Sequence, residues 1–371
     1  MEKTKVTDRQ MCFLTFGVSL GGSVLVVAAL MASIAKQDAW LGAVATVVLG
    51  FPVIWALVFL GRRFPDKNYI ECLQTVWGRP IGYVVSGLSV YLWIMLSYHI
   101  PWYVGNFMTS QSMPETPAYV INLVFIAAVT VAIRYGLHAF SRASEIYTVI
   151  SASLFLIAAL LIMPNSKIEN LQPVLENGLS PVFESAFFLS TFIVCPIYTV
   201  MMVYPTEVDD PKAAGKGILI GFLFSGIISF FSIILSILVL GWPITANTRY
   251  PAFRLAKEIE LGTIFTRIEF IIFFSWILTQ FIINTMLFYS AVKGIAQLFR
   301  LKDHNKLILP FALVDFVMSG IVFPDVFYQE NWITFVWAPF AFIIGAVIPL
   351  LTFILYFVRG GKKKFSNSHL S

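Results

Sequence analysis

FGVSLGGSVLV, Phe16–Val26, places two adjacent glycines and two serines inside a run from Met11 to Ile34 that is otherwise apolar enough to cross a bilayer. Glycine in a helix interior costs about 1 kcal/mol relative to alanine, so Gly21 and Gly22, flanked by Ser19 and Ser23, make local unwinding cheap about halfway along the span. An interrupted helix at that depth is tolerated only where its freed N–H and C=O groups face protein or a watery cavity. The rest of the chain decides whether such a cavity is expected.

Apolar residues make up 58% of the 371 and charged residues only 12%, with a mean hydropathy of +0.82. That balance is incompatible with a solvated surface and identifies an all-α integral membrane protein. Ten runs long enough to span begin near Met11, Trp40, Gly82, Tyr119, Ser144, Ser185, Gly217, Ile264, Leu307 and Trp332. The first is too long, and too plainly continued by the others, to be a removable signal peptide. Lys and Arg remain on the cytoplasmic side, and most of the 25 do so if both termini lie inside, among them Arg62, Arg63, Lys67, Arg79, Arg300, Lys302 and Lys362 to Lys364. The net charge of +5 therefore reports topology and not nucleic-acid binding, and the basic tail 359–371 sits against anionic headgroups of the lipid bilayer.

Cys12, Cys72 and Cys195 are spread so that no disulfide is expected, and His99, His138, His304 and His369 are scattered without the spacing of a metal site. With no nucleophile motif, phosphate loop or reachable carboxylate pair, neither enzyme activity nor a cofactor is expected.

Two connections are long and amphipathic: RRFPDKNYIECLQTVWGRP between spans 2 and 3, and TANTRYPAFRLAKEIELGT between spans 7 and 8. They occupy the same step in two five-helix halves, on opposite faces, as an inverted repeat requires. The expected fold is thus ten transmembrane helices in a 5+5 inverted repeat with discontinuous helices 1 and 6, LeuT-like in architecture. The halves are 1–163 and 185–358, joined by an outer linker at 164–184. In the sixth span, TFIVCPIYTV carries the matching break, because Pro196 lacks an N–H and clashes with the carbonyl four residues earlier. Backbone groups near Gly21, Gly22 and Ser23, and near Cys195, Pro196, Ile197 and Tyr198, become candidate ligand contacts: amides for a carboxylate, carbonyls for an ammonium or cation. Tyr98 on helix 3 and Asn284 on helix 8 are either ligand contacts or helix-to-helix hydrogen bonds, and His99 reads as a packing residue. Glu269 and Asp315 are charged groups in costly places, each paired with a cation such as Arg267 or protonated.

The chain also resembles the permease-type B subunit of endospore nutrient-germinant receptors, in the amino acid/polyamine/organocation transporter superfamily. The resemblance is carried by TDRQMCFLTFGVSLGGSVL, RYGLHAFSRASEI, NLQPVLENGLSPVFESA, YPTEVDDPKAAGKG and RYPAFRLAKEIELGTIFTRIEF, in that order. It departs at Val27 and Ala28, where the family pattern has Leu-Pro. The resemblance implies a germinant sensor of the spore inner membrane that works with a larger A subunit and a lipoprotein C subunit. A small nutrient, an amino acid by preference, would then have its carboxylate at Gly21, Gly22 and Ser23 with Pro196, Ile197 and Tyr198 opposite. The alternative is a proton- or sodium-coupled amino-acid transporter with the same fold and pocket.

Overall fold

Without water, each unpaired peptide group costs several kcal/mol, so a chain of this composition hydrogen-bonds to itself along its length, and helices do that within one segment. The computed structural model describes residues 5–21, 25–257 and 269–360, and is all-helical. In chain order the helices are α1 (Asp8–Leu20), α2 (Val27–Ala35), α3 (Ala39–Arg63), α4 (Tyr69–Trp77), α5 (Arg79–Gln111), α6 (Ala118–Arg134), α7 (Leu137–Ile162) and α8 (Ser180–Ile193). They continue as α9 (Pro211–Leu240), α10 (Trp242–Ala246), α11 (Pro251–Lys257), α12 (Glu269–Leu298), α13 (Ile308–Ile321), α14 (Val326–Trp332), α15 (Ala338–Phe342) and α16 (Ile348–Val358). Seven helical stretches among the described residues are long and apolar enough to cross a membrane, and the chain is a multi-pass membrane protein. The segment 361–371, with most of the basic tail, lies outside the described residues, as does the Ile259 to Leu261 end of the second amphipathic connection.

Helix starts follow capping chemistry more closely than hydropathy. The fifth apolar run begins near Ser144, but α7 starts at Leu137, just past Gly136, whose φ of 90° turns the chain there. The last span starts at Val326, where the Asp325 side chain accepts from the Tyr328 N–H at 2.7 Å.

At the centre lies α1, packed on α7, α9 and α12. Its approach to α9 depends on small residues: a Cβ at Gly217 would come within 2.5 Å of the Asp8 carbonyl oxygen, and one at Gly221 within 2.3 Å of that of Cys12. Large apolar side chains such as Leu49, Val124, Leu160, Phe224 and Leu313 are exposed, the surface that faces lipid. From Val326 to Val358 the last span is α-helical except for two π-helical segments, Ile333–Trp337 and Ile343–Val347. Each stands just ahead of a proline, Pro339 or Pro349, whose missing N–H withdraws a donor from the preceding turn.

The connection between α3 and α5 contains α4, opened by a capping box between Asn68 and Glu71. Its apolar face is buried, and it is tied to the last span where the Trp77 indole donates to Thr352 Oγ1 at 2.8 Å and Arg359 donates to the Val76 carbonyl at 2.8 Å. Burial pushes the Cys72 thiol on α4 up to about 12. In the folded protein at neutral pH, maleimide is therefore expected to leave Cys72 unmodified for roughly a hundred times longer than in denaturant, a difference that peptide mass mapping reads directly. The linker of residues 163–179 is buttoned to the turn after α2, where the Asp38 carboxylate accepts from the Leu175 N–H at 2.9 Å and Gln37 donates to the Pro173 carbonyl at 2.7 Å.

Candidate functional site

Two interruptions build the site. The regular winding of α1 ends at Leu20, Gly21 closes its last turn, and α2 resumes only at Val27. Gly22 and Ser23, both expected at the site, lie outside the described residues. The space at Gly21 is occupied by α12: a Cβ there would meet Ile283 Cγ2 at 2.6 Å and the Thr279 carbonyl oxygen at 3.0 Å. The Gly21 carbonyl accepts from the Gln280 side chain. At the far side of the gap the N-cap, Val26, provides no side-chain acceptor, so the first amides of α2 are uncapped.

The second interruption follows α8, where Val194 leads into a 3₁₀ helix over Cys195–Met202 with Pro196 in its first turn. Tightening to i→i+3 bonds changes the partners: the Ile197 N–H goes to the Val194 carbonyl at 3.2 Å, leaving that of Ile193 free. The Ile193 carbonyl accepts instead from the Ser19 hydroxyl at 2.6 Å, and Ser19 Oγ lies 2.6 Å from Ser225 Oγ on α9. The ends of α1 and α8 are therefore bonded to each other.

Beside this junction is a cavity of about 570 Å³. Its walls come from α2, the second half of α5, the α8 break, residues 246–250, the first half of α12 and the start of the last span. Residues 246–250 bring part of the 241–257 connection to the rim of the cavity. Its surface is aromatic, with Phe192, Trp276, Trp332 and Trp337, and it is interrupted by Gln280, Gln329 and Arg249. His99 is stacked on Trp332 with ring centroids 4.4 Å apart. Three ring nitrogens in the wall, His99 Nε2, Trp276 Nε1 and Trp337 Nε1, have no hydrogen-bond partner among the described residues. The rim includes Tyr250, outside the spans, whose phenol is raised above its usual range by burial although the neighbouring Arg249 guanidinium opposes it.

Of the residues expected from sequence to contact a ligand, Pro196 lines this cavity, and Gly21 touches its wall through Gln280 and Ile283. The other described ones lie outside the lining. Tyr198 is fully buried and stacked on Trp93 at 5.2 Å, its hydroxyl donating to the Ser89 carbonyl at 3.2 Å. Cys195 backs onto Gly345 in the last span, Ile197 is wholly enclosed, and Tyr98 stacks on His99 outside the lining. Asn284 is fully buried and is not part of the lining. His99, read as a packing residue, is part of the wall. Trp276, Gln280 and Ile283 were missed, although their spacing of four and three residues marks one face of the same helix that carries Asn284.

A second set of contacts ties the far end of α12 to the segments after the 3₁₀ helix and before α1. Lys293 Nζ reaches the Met202 carbonyl at 3.2 Å, the Tyr289 hydroxyl at 3.1 Å and Glu207 Oε1 at 3.1 Å, using all three of its donors. The N-terminal segment pairs with the loop after the 3₁₀ helix through Val6 N–H to Glu207 carbonyl at 2.8 Å and Asp209 N–H to Val6 carbonyl at 3.1 Å. Arg9 and Glu145 add an ion pair at 2.8 Å.

Comparison with known proteins gives a consistent result. Residues 5–326 match the spore germination protein family described as spore permease. Spore germination protein KB of Bacillus subtilis (strain 168) is 23% identical over 322 residues, 86% of this chain and 85% of its own length. YndE of the same organism is 24% identical over 370 residues, covering 97% and 99%. Among solved structures, MhsT in complex with L-phenylalanine superposes with a TM-score of 0.68 at 15% identity, over 93% of this chain and 87% of its own. Mhp1, a nucleobase-cation-symport-1 family transporter closed around bromovinylhydantoin, gives 0.65 at 15% identity, over 92% and 78%. At such identities these two likenesses establish the fold, that of LeuT-like transporters.

Proposed function

The chain belongs to the spore germination protein family, and on that premise we propose that it is the membrane subunit of a germinant receptor that binds a small nutrient, an amino acid, between the two interrupted spans and signals by changing conformation. The single observation that supports this reading best is the cavity of about 570 Å³ beside the joined ends of α1 and α8. In this reading the fold has ten spans, with α1 and α2 as the first, α6 and α13 as the shorter fourth and ninth, and an inverted repeat of halves 1–163 and 185–358. The end held by Lys293 and Glu207 faces the cytoplasm of the spore inner membrane, and conformational change is passed to the A and lipoprotein C subunits.

Physical chemistry assigns the ends of the ligand. A carboxylate suits the uncapped amides that begin α2, together with backbone at Gly21, Gly22 and Ser23. An ammonium group suits the Phe192 carbonyl, which loses its i+4 donor to Pro196, while the aromatic wall takes the side chain. Binding shifts the receptor only if the ligand prefers one state, which closure of the cavity around it would supply.

Equilibrium binding of an amino-acid panel to the purified protein tests the reading: saturable binding of at least one is expected, and none would defeat it. Trp276→Phe keeps the aromatic surface but deletes one unpartnered donor, and an affinity loss of about tenfold is expected for the best ligand. The transporter-like neighbours favour one further reading, an amino-acid carrier coupled to a proton or Na⁺. Concentrative uptake into proteoliposomes would support the carrier, and binding without uptake the sensor.

A further inference from the structure

Behind the cavity wall, where α5, α12 and α13 meet, lies a polar cluster that the nutrient reading does not use. Asp315 on α13 is fully buried, with Oδ1 accepting from the Ser97 hydroxyl of α5 at 2.9 Å and Oδ2 without a hydrogen-bond partner among the described residues. Asn284 on α12 is also fully buried, and neither Oδ1 nor Nδ2 has a partner among them. The two residues lie at one level of the bundle, on helices that both pack against α5. The Phe288 and Phe311 rings meet between α12 and α13 with centroids 4.7 Å apart, and with the two helices antiparallel Asn284 and Asp315 each stand one turn beyond that contact in the same direction. Ser97 contributes more than its hydroxyl. Pro101, four residues on in α5, has no N–H, so the Ser97 carbonyl loses its helical donor at the same level.

An ionised carboxyl in such surroundings needs a counter-charge, and unpartnered buried amides are rare. No Lys, Arg or His among the described residues forms an ion pair with Asp315. Of the titratable groups around it, Tyr98 on α5 is neighbouring and uncharged, His99 belongs to the cavity wall, Lys293 is held at the far end of α12 by Glu207, and α6 brings none along its middle.

We propose that Ser97, Asn284 and Asp315 form a binding site for one small monovalent cation, Na⁺ or a proton, separate from the nutrient cavity. The oxygens on offer are the Asp315 carboxyl pair, Asn284 Oδ1, the Ser97 hydroxyl and the Ser97 carbonyl; a proton would sit on the carboxyl and be donated to Asn284 Oδ1. The site adjoins the cavity through its own helices. Leu96 and His99 of α5, which flank Ser97 in sequence, and Gln280 and Ile283 of α12, which come just before Asn284, line the cavity. Cation occupancy therefore ties together two helices that also line the cavity.

The test needs no nutrient, so it stands or falls apart from the receptor reading. Thermal unfolding of the purified full chain in nanodiscs is compared in NaCl and in choline chloride of equal ionic strength, at about pH 5.5 and about pH 8. A saturable rise of roughly 3–6 °C is expected in the wild type, with Na⁺ at the higher pH if sodium is the occupant, or with acid in choline alone if the proton is. Asp315→Asn, which retains the shape without the charge, is expected to reduce either response below about 1 °C. Asn284→Leu is expected to weaken a Na⁺ response about tenfold in concentration. A wild type indifferent to both conditions, or Asp315→Asn responding as the wild type does, overturns the proposal. If Asp315→Asn does not fold, radiolabelled Na⁺ binding and the infrared band of a slowly deuterating carboxylic acid are measured on the wild type. One occupant per chain by either measurement sustains the site, and absence of both overturns it.

Discussion

Gly21→Val is expected to abolish amino-acid binding while the protein still reaches the membrane. The valine Cβ would stand 2.6 Å from Ile283 Cγ2 and 3.0 Å from the Thr279 carbonyl oxygen, and its two γ-carbons would press further into α12. Overpacking of this kind costs about 1–3 kcal/mol and is relieved by moving backbone or α12. Either movement breaks the bond from Gln280 to the Gly21 carbonyl and displaces two residues of the cavity wall. Since about 1.4 kcal/mol is tenfold in affinity, a loss of roughly a hundredfold or more follows, with the best ligand of the panel moving beyond measurable range. Isothermal titration together with a melting curve separates the effects: unchanged affinity would remove the first break from the site, whereas lost binding at a retained melting transition supports it.

Lys293→Met is expected to loosen the end that Lys293 holds. Lys293 and Glu207 side chains are 14% and 31% exposed, so their pair is largely shielded from water, and removing the cation deletes that pair together with the bonds from Lys293 to Met202 and Tyr289. Breaking a buried pair costs up to 3–5 kcal/mol; with Glu207 partly wet, about 1–3 kcal/mol is expected here. That is enough to raise the population of a loosened inner end by at least about tenfold. The Val6 and Asp209 amides, which pair at this end, report it: their hydrogen exchange should accelerate by at least about tenfold, while amides of α9 stay protected. Exchange equal to wild type would show that the lysine does not hold this end.

Much of this arrangement was legible in the sequence because glycine and proline act on the backbone wherever they occur. Gly21 beside Gly22, and Pro196, announced interruptions that the coordinates place end to end at Ser19 and Ile193. The amphipathic connection 62–80 was equally readable, since Asn68 and Glu71 mark a helix start and the apolar face of α4 needs a surface to cover. The identity of the wall was less so. Tyr198, Cys195 and Asn284 sit at the right depth, but whether a side chain meets the cavity depends on the rotation of its helix, which apolar runs surrounded by lipid and protein do not encode. Gln280 and Trp276 lie one and two turns before Asn284, and their role appears only once α12 is set against α1. The bend of the last span was likewise hidden, because Pro339 and Pro349 predict a disturbance without saying that it takes the form of wide turns.

Those wide turns give the last span the properties of a jointed lever. Its upper joint, Ile333–Trp337, supplies Ile333, Thr334 and Trp337 to the cavity, its lower joint presses Gly345 on Cys195, and its foot is pinned to α4 by Thr352 and Arg359. Converting a π turn to an α turn advances the rod by about one residue, or 1.5 Å with a rotation near 100°. A molecule pressing on Trp337 can thus displace α4 at the far side of the membrane without any span having to tilt.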